Sequence, residues 1–149
     1  MKIFRNTIFV VLLCTIFGFM PTSTPKTGMG ALIVNLSNVD TPSGRIRVGL
    51  YNRGNFLTST YITARSVGVN AKGNATVIFN ELLYGEYAIA VYHDINDNRS
   101  LDKNGLGIPQ EPYAFSNNFK VYMRPPNYDE VKINFQQPLT LDLKLLRWW

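Results

Sequence analysis

Tyr87-Ala88-Ile89-Ala90-Val91-Tyr92-His93 is the stretch on which the fold turns. In an extended chain Tyr87, Ile89 and Val91 share one face, and Ala88, Ala90 and Tyr92 share the other. A strand apolar on both faces belongs in the interior of a sheet, covered from both sides. Tyr84-Gly85-Glu86 punctuates the chain just ahead of it.

Working toward the N-terminus, residues 75–79 form a short apolar strand behind the break Asn70-Ala71-Lys72-Gly73-Asn74. Residues 61–69 are a weaker strand candidate, and Asn52-Arg53-Gly54-Asn55 is a turn. Over 45–52, Ile46, Val48 and Leu50 alternate with Arg45, Arg47, Gly49 and Tyr51, the pattern of a half-buried strand. Thr41-Pro42-Ser43-Gly44 is a turn cluster, and the GALIVNLSNV run of residues 30–39 is a further strand. Toward the C-terminus, residues 119–123 read as a short strand stopped by Arg124-Pro125-Pro126-Asn127. Val131, Ile133 and Phe135 alternate up to the Gln136-Gln137-Pro138 turn. Leu139, Leu141, Leu143 and Leu145 then alternate with Thr140, Asp142 and Lys144, the clearest strand of all. About seven or eight short strands with no long helical period predict an all-β, Ig-like Greek-key β-sandwich. No internal repeat is visible.

The chain has 149 residues, enough for one self-sufficient core. The Tyr, Phe, Val, Ile and Thr bias favours strands. The expected organisation is a signal peptide over 1–24, a short linker over 25–29 and a single β-sandwich domain over 30–149. Lys2 and Arg5 precede an apolar run from Ile8 to Met20, and Pro21-Thr22-Ser23-Thr24-Pro25 ends it, the layout of a secretory signal. This predicts export, to the periplasm, the outer surface or the medium. Against a cleaved signal stand the lack of a small-x-small site before Pro21, which leaves an uncleaved anchor open, and Cys14, which raises a lipoprotein signal although Leu13 occupies the small-residue position. A buried N-terminal helix would need polar residues at helical spacing, and 8–17 has only Cys14 and Thr15.

Lys2 and Arg5 supply two of the formal net +5, and the remaining basic residues are scattered. Nucleic-acid binding usually shows a basic stripe, so no nucleic-acid partner is expected. Cys14 is the only cysteine. Removal of the leader excludes a disulfide scaffold, a thiolate zinc site and a cysteine nucleophile.

Residues 94–118 are a long polar segment rich in Asp, Asn, Gly and Pro, and loops of that length are functional or ordered by something. Asp94, Asn96, Asn98, Ser100 and Asp102 fall at every second position. Oxygen ligands at that spacing can curl around Ca²⁺, with Glu111 as an additional ligand from further along. The start resembles an EF-hand loop, but Arg99 stands where glycine makes the turn and Gly105 where a glutamate closes the shell. The alternative is that these Asn and Asp residues make turns with their own backbone. Calcium is the only cofactor the sequence suggests.

His93, the only histidine, ends the central strand beside Asp94. It is either an acid–base group or a strand-end residue bonded within the loop, and no partner nucleophile accompanies it. Tyr84, Tyr87, Tyr92, Tyr113, Phe115 and Tyr122 bring aromatic surface near the loop, to stack on a sugar or anchor a partner, or to fill the core. Trp148 and Trp149 end the chain, at a membrane interface, in a partner's groove, or pinned to the sandwich. Glycosylation sequons begin at Asn35, Asn74 and Asn98.

The run Gly85-Glu86-Tyr87-Ala88-Ile89-Ala90-Val91-Tyr92-His93-Asp94, followed by Asn96-Asp97-Asn98, Leu101-Asp102, Gly107-Ile108-Pro109, Glu111 and Tyr113-Ala114-Phe115-Ser116-Asn117-Asn118, resembles the bacterial family catalogued as domain of unknown function 2141. Val48-Gly49-Leu50-Tyr51-Asn52, Phe56 and Pro125-Pro126-Asn127-Tyr128 extend the resemblance over 31–146. Arg99 and Ala114 depart from it, standing where that family often has small residues such as glycine. It implies an exported β-sandwich and no established activity. The Gly-x-Tyr-x-x-x-Val strand is also similar to transthyretin-like sandwiches.

No catalytic residues are assigned from these features. The leading expectation is a non-enzymatic envelope or secreted module that binds a protein or glycan through the Asp/Asn-rich loop. The alternatives are a hydrolase centred on His93, Asp94 and Glu111, and a structural subunit of a surface assembly that uses a sheet edge or Trp148 and Trp149. Membrane contact is expected only through the signal segment or those two tryptophans.

Overall fold

A computed structural model describes residues 27–148. The expected signal segment over 1–24, with Lys2, Arg5 and Cys14, lies outside the described residues, as does Trp149. The regular structure of the described chain is almost entirely β: β1 (Met29–Val39), β2 (Arg45–Tyr51), β3 (Thr63–Gly68), β4 (Gly73–Leu83), β5 (Gly85–Asp94), β6 (Tyr113–Phe115), a 3₁₀ turn (Ser116–Asn118), one helical turn α1 (Tyr128–Val131), β7 (Lys132–Phe135) and β8 (Leu139–Lys144).

The strands form two sheets. One has the order β4-β1-β8, with β1 antiparallel to β4 and parallel to β8. The other has the order β3-β2-β5-β6, and β7 pairs β5 as well. β5 is therefore interior, as its two apolar faces predict. It lies against β2 on one side, while β7 (at Gly85–Ala88) and β6 (at Ala90–Tyr92) share the other.

Alternation decides what is buried. Leu32, Val34 and Leu36 of β1, Val77 and Phe79 of β4 and Leu143 of β8 meet Ile46, Val48 and Leu50 of β2, Ile89 and Val91 of β5 and Ile133 and Phe135 of β7 in one core cluster. Burying each such side chain contributes about 1.5–3 kcal/mol, so this cluster dominates the stability of the pairing.

The strand expected over 119–123 does not form; those residues carry no strand pairing. The short strand falls instead on Tyr113-Ala114-Phe115, inside the segment read as loop, because Ala90, Val91 and Tyr92 offer it an unpaired edge of β5. A helical turn precedes β7. Asn127 caps the Glu130 N–H while the Glu130 carboxylate accepts the Asn127 N–H at 2.7 Å, a capping box.

Ser116, Asn117 and Asn118 join four elements, β5, α1, β7 and β8, by side-chain bonds. Ser116 Oγ accepts the buried Ile89 N–H at 3.0 Å and donates to the Val131 carbonyl. Asn117 Nδ2 donates to the carbonyls of Glu130 and Lys132. The Asn118 amide donates to Asp142 O and accepts Lys144 N–H, both at 2.9 Å, so it occupies the free edge of β8 as a strand would.

Candidate functional site

The outward face of the five-stranded sheet carries Arg47, Gly49 and Tyr51 from β2, Ala64 and Ser66 from β3, Ala88, Ala90, Tyr92 and Asp94 from β5, and Tyr113 and Phe115 from β6, as the register requires. One half is covered. Ala88, Tyr128 and Val131 form a small second core with Phe56, Phe115 and Phe119 against it. Phe56 stands edge-on to Tyr51, Phe115 and Tyr128 at 5.9–6.4 Å between ring centroids.

The other half is a groove of about 1300 Å³. Its floor is the cross-strand row Ala64–Gly49–Ala90. The Tyr51 ring lies so close over Gly49 that a Cβ there would stand 3.0 Å from it. Tyr92, Tyr113, Phe115 and Trp148 line the walls. Leu57, Tyr61, Leu106, Tyr122 and Met123 form the rim, five of the nine large apolar side chains that the described residues leave exposed. Among the described residues its charged lining is Arg47, Arg65, Arg99, Lys103 and Arg124, with no carboxylate.

The Asp/Asn-rich loop forms one wall, and its carboxylates organise backbone. Asp94 is wholly buried. Its Oδ1 accepts Asn98 N–H at 3.0 Å and its Oδ2 accepts Arg99 N–H at 2.9 Å and Arg47 Nε at 2.5 Å. Burial alone would push this carboxyl up, but Arg47 and the two N–H groups outweigh it and hold the carboxyl below its ordinary range. Arg47 also donates to Asp97. Glu111, 5% exposed, accepts Ile95 N–H and Asp102 N–H, tying the two ends of the loop together.

Asn96 Oδ1 accepts Asn98 N–H and Asn98 Oδ1 accepts Ser100 N–H, two consecutive Asx turns. The amide nitrogens of Asn96 and Asn98 both donate to Asp102, at 2.8 and 2.9 Å. Of the six residues whose spacing suggests a calcium loop, the structure thus brings three side chains together, Asn96, Asn98 and Asp102. Asp94 and Glu111 are turned to separate backbone groups, and Ser100 enters through its N–H. Among the described residues no group of three or more His, Cys, Asp or Glu is placed to hold a metal ion.

His93 and Asp94 are successive residues of β5 and face opposite ways. His93 is fully buried; its Nε2 lies 2.8 Å from the Ser43 carbonyl and its Nδ1 has no partner among the described residues. No hydrogen bond joins His93, Asp94 and Glu111 to one another, and each is bonded to backbone groups.

Of the six aromatics singled out by position near the loop, Tyr92, Tyr113, Phe115 and Tyr122 line the groove. Tyr84 stacks edge-on to Phe135 at 5.2 Å, and Tyr87 is buried in the core. Tyr51 and Tyr61 belong to the site and were not singled out. Tyr51 had a signal, since it falls on the polar side of the Ile46–Val48–Leu50 alternation.

The family described as "Uncharacterized protein conserved in bacteria (DUF2141)" matches residues 34–141. No curated protein and no solved structure matches the chain.

Proposed function

From the premise that this chain belongs to the DUF2141 family of bacterial proteins, we propose that it is an exported, non-enzymatic β-sandwich module. Its partner is an envelope or extracellular glycan or protein, and the binding site is the groove beside the Asp/Asn-rich loop. The clustering of exposed apolar side chains on that one face carries the reading. Scattered apolar residues on a surface need no explanation, whereas a contiguous set around a concavity marks an interaction site. The groove also exceeds the roughly 300–1,000 Å³ of a small-molecule pocket, which suits a polymer chain. Export rests on the charged and apolar pattern of the first 24 residues. The strand order and the parallel β1–β8 pair support a transthyretin-like Greek-key reading of the sandwich.

We read the loop as ordered by its own hydrogen bonds, which already occupy Asp94 and Glu111. Calcium enters as a ligand of the Asn96–Asn98–Asp102 cluster, with one carboxylate and hence an affinity no tighter than about 10⁻⁴–10⁻³ M. Calorimetric melts of the purified protein in millimolar calcium and in chelator separate the cases. Calcium at one to ten times that dissociation constant adds about 0.4–1.4 kcal/mol, so a bound ion raises the melt by about one to several degrees and its absence leaves the melt unchanged. A rise of several degrees that Asp102→Ala abolishes would make the loop a calcium site.

The binding reading is tested by screening the purified protein against immobilised envelope polysaccharides and proteins, with Tyr51→Ala and Tyr92→Ala alongside. Binding that both variants weaken supports the groove. Binding indifferent to both overturns it.

A further inference from the structure

Resting on the groove reading, we propose that the occupant is an anionic polysaccharide, a chain of sugar rings bearing carboxylates. The charge of the lining selects it. Among the described residues, five basic residues and no carboxylate line the groove. Arg47 is neutralised by Asp94 and Asp97, and Arg124 by Glu130, while Arg65 alternates to the other face of β3, its guanidinium 5.9 Å from the Phe79 ring centroid. Arg99 and Lys103 make no ion pair among the described residues. Both stand on the loop wall of the same groove that Tyr51 and Tyr92 line.

Arg99 is held there against the grain of its backbone. Its φ is +68°, a left-handed conformation that favours glycine, and its N–H is fixed on Asp94. A strained non-glycine residue at the edge of a concave site, carrying an unpaired guanidinium, points to a role for its side chain. The floor complements it. The Tyr51 ring lies against Gly49, and Tyr92 stands in the next strand. Flat aromatic faces offer sugar rings an apolar platform, while a guanidinium and an ammonium meet the carboxylates. An acidic peptide would share the charge and lack the rings, so the aromatic floor favours the polysaccharide.

The test is equilibrium binding of the purified protein to polygalacturonate, to neutral dextran and to polyglutamate at low and high salt. Polygalacturonate alone is expected to bind, and more weakly at high salt. The double variant Arg99→Gln/Lys103→Gln should lose at least about tenfold in affinity, as should Tyr51→Ala. Equal binding of dextran, weakened by Tyr51→Ala but indifferent to the Gln pair, would overturn the anionic ligand and leave the groove standing. Equal binding of polyglutamate would replace the sugar by an acidic peptide. Binding indifferent to both sets of variants, or no binding to any of the three, overturns this proposal; only the first of those also counts against the groove.

Discussion

At Gly44 a single hydrogen atom matters. Its φ is +70°, and a Cβ there would overlap the Asp94 carbonyl and the Ile95 backbone. Gly44→Ala is therefore expected to cost at least about 2 kcal/mol, seen as a lower melting temperature, whereas an ordinary surface glycine would tolerate it. The same turn fixes the tautomer of His93. A carbonyl only accepts, so Nε2 carries the proton toward Ser43 and Nδ1 keeps an unpartnered lone pair. Long-range ¹H–¹⁵N correlations should show the Nε2–H form; the Nδ1–H pattern would mean that the turn is docked differently. The carboxylates set an acid limit. Asp40, drawn down to about 2 by its Arg147 bond, Glu130, drawn down to about 2 by Arg124, and Asp94 all have folded values below their ordinary ones. Groups depressed in this way favour the folded state above their unfolded pKa and lose that contribution as pH falls through the folded one. Denaturant midpoints should hold down to about pH 4 and fall between there and about pH 2. A midpoint already falling at pH 6 would contradict this assignment.

At the scale of elements, the Ser116–Asn118 turn does what a strand pair normally does. Asn118→Ala leaves Asp142 O and Lys144 N–H at an edge that water reaches, so about 1 kcal/mol should be lost. Ser116→Ala orphans the buried Ile89 N–H and should cost more, about 2–3 kcal/mol. Chemical denaturation of the two variants checks that order, and equal losses would mean that the Ser116 bonds carry no buried penalty. The motif was legible in the sequence only as a resemblance, because its partners lie 13 to 27 residues away. By contrast β2, β5 and β8 were legible from residues alone, since each side chain's face is set by its own position in the strand. β6 was hidden because Tyr113-Ala114-Phe115 is too short to alternate and sits among turn formers. The Val121-Tyr122-Met123 run has strand composition but pairs with no strand among the described residues. Two-residue spacing of Asn and Asp serves a cation shell and consecutive Asx turns alike, and only the contacts around Asn96 and Asn98 show the turns. The groove was half legible. Aromatics near the loop were marked by position, while Tyr51 and Tyr61 arrive from β2 and the segment after it, through pairings that no local pattern reveals.

The whole molecule is closed by its last strand. β8 runs parallel to β1, with Leu32 opposite Leu139 and Leu36 opposite Leu143. Asn35 Nδ2 reaches Asp142 at 2.9 Å across a sequence separation of 107 residues. Without β8, β1 becomes an edge strand and the core loses Leu143 and Leu145, both nearly fully buried. Those two side chains are worth about 3–6 kcal/mol together, against a total stability of about 5–15 kcal/mol for a domain of this kind. Deletion of residues 139–149 should therefore abolish cooperative unfolding altogether, whereas Leu143→Ala should keep a single transition about 3 kcal/mol less stable. The groove shares this dependence, because the Tyr113–Leu146 bridge anchors β6 to the end of β8. A truncated chain that still melted in one sharp transition would show that the five-stranded sheet and its aromatic face fold without the strand that closes the other sheet.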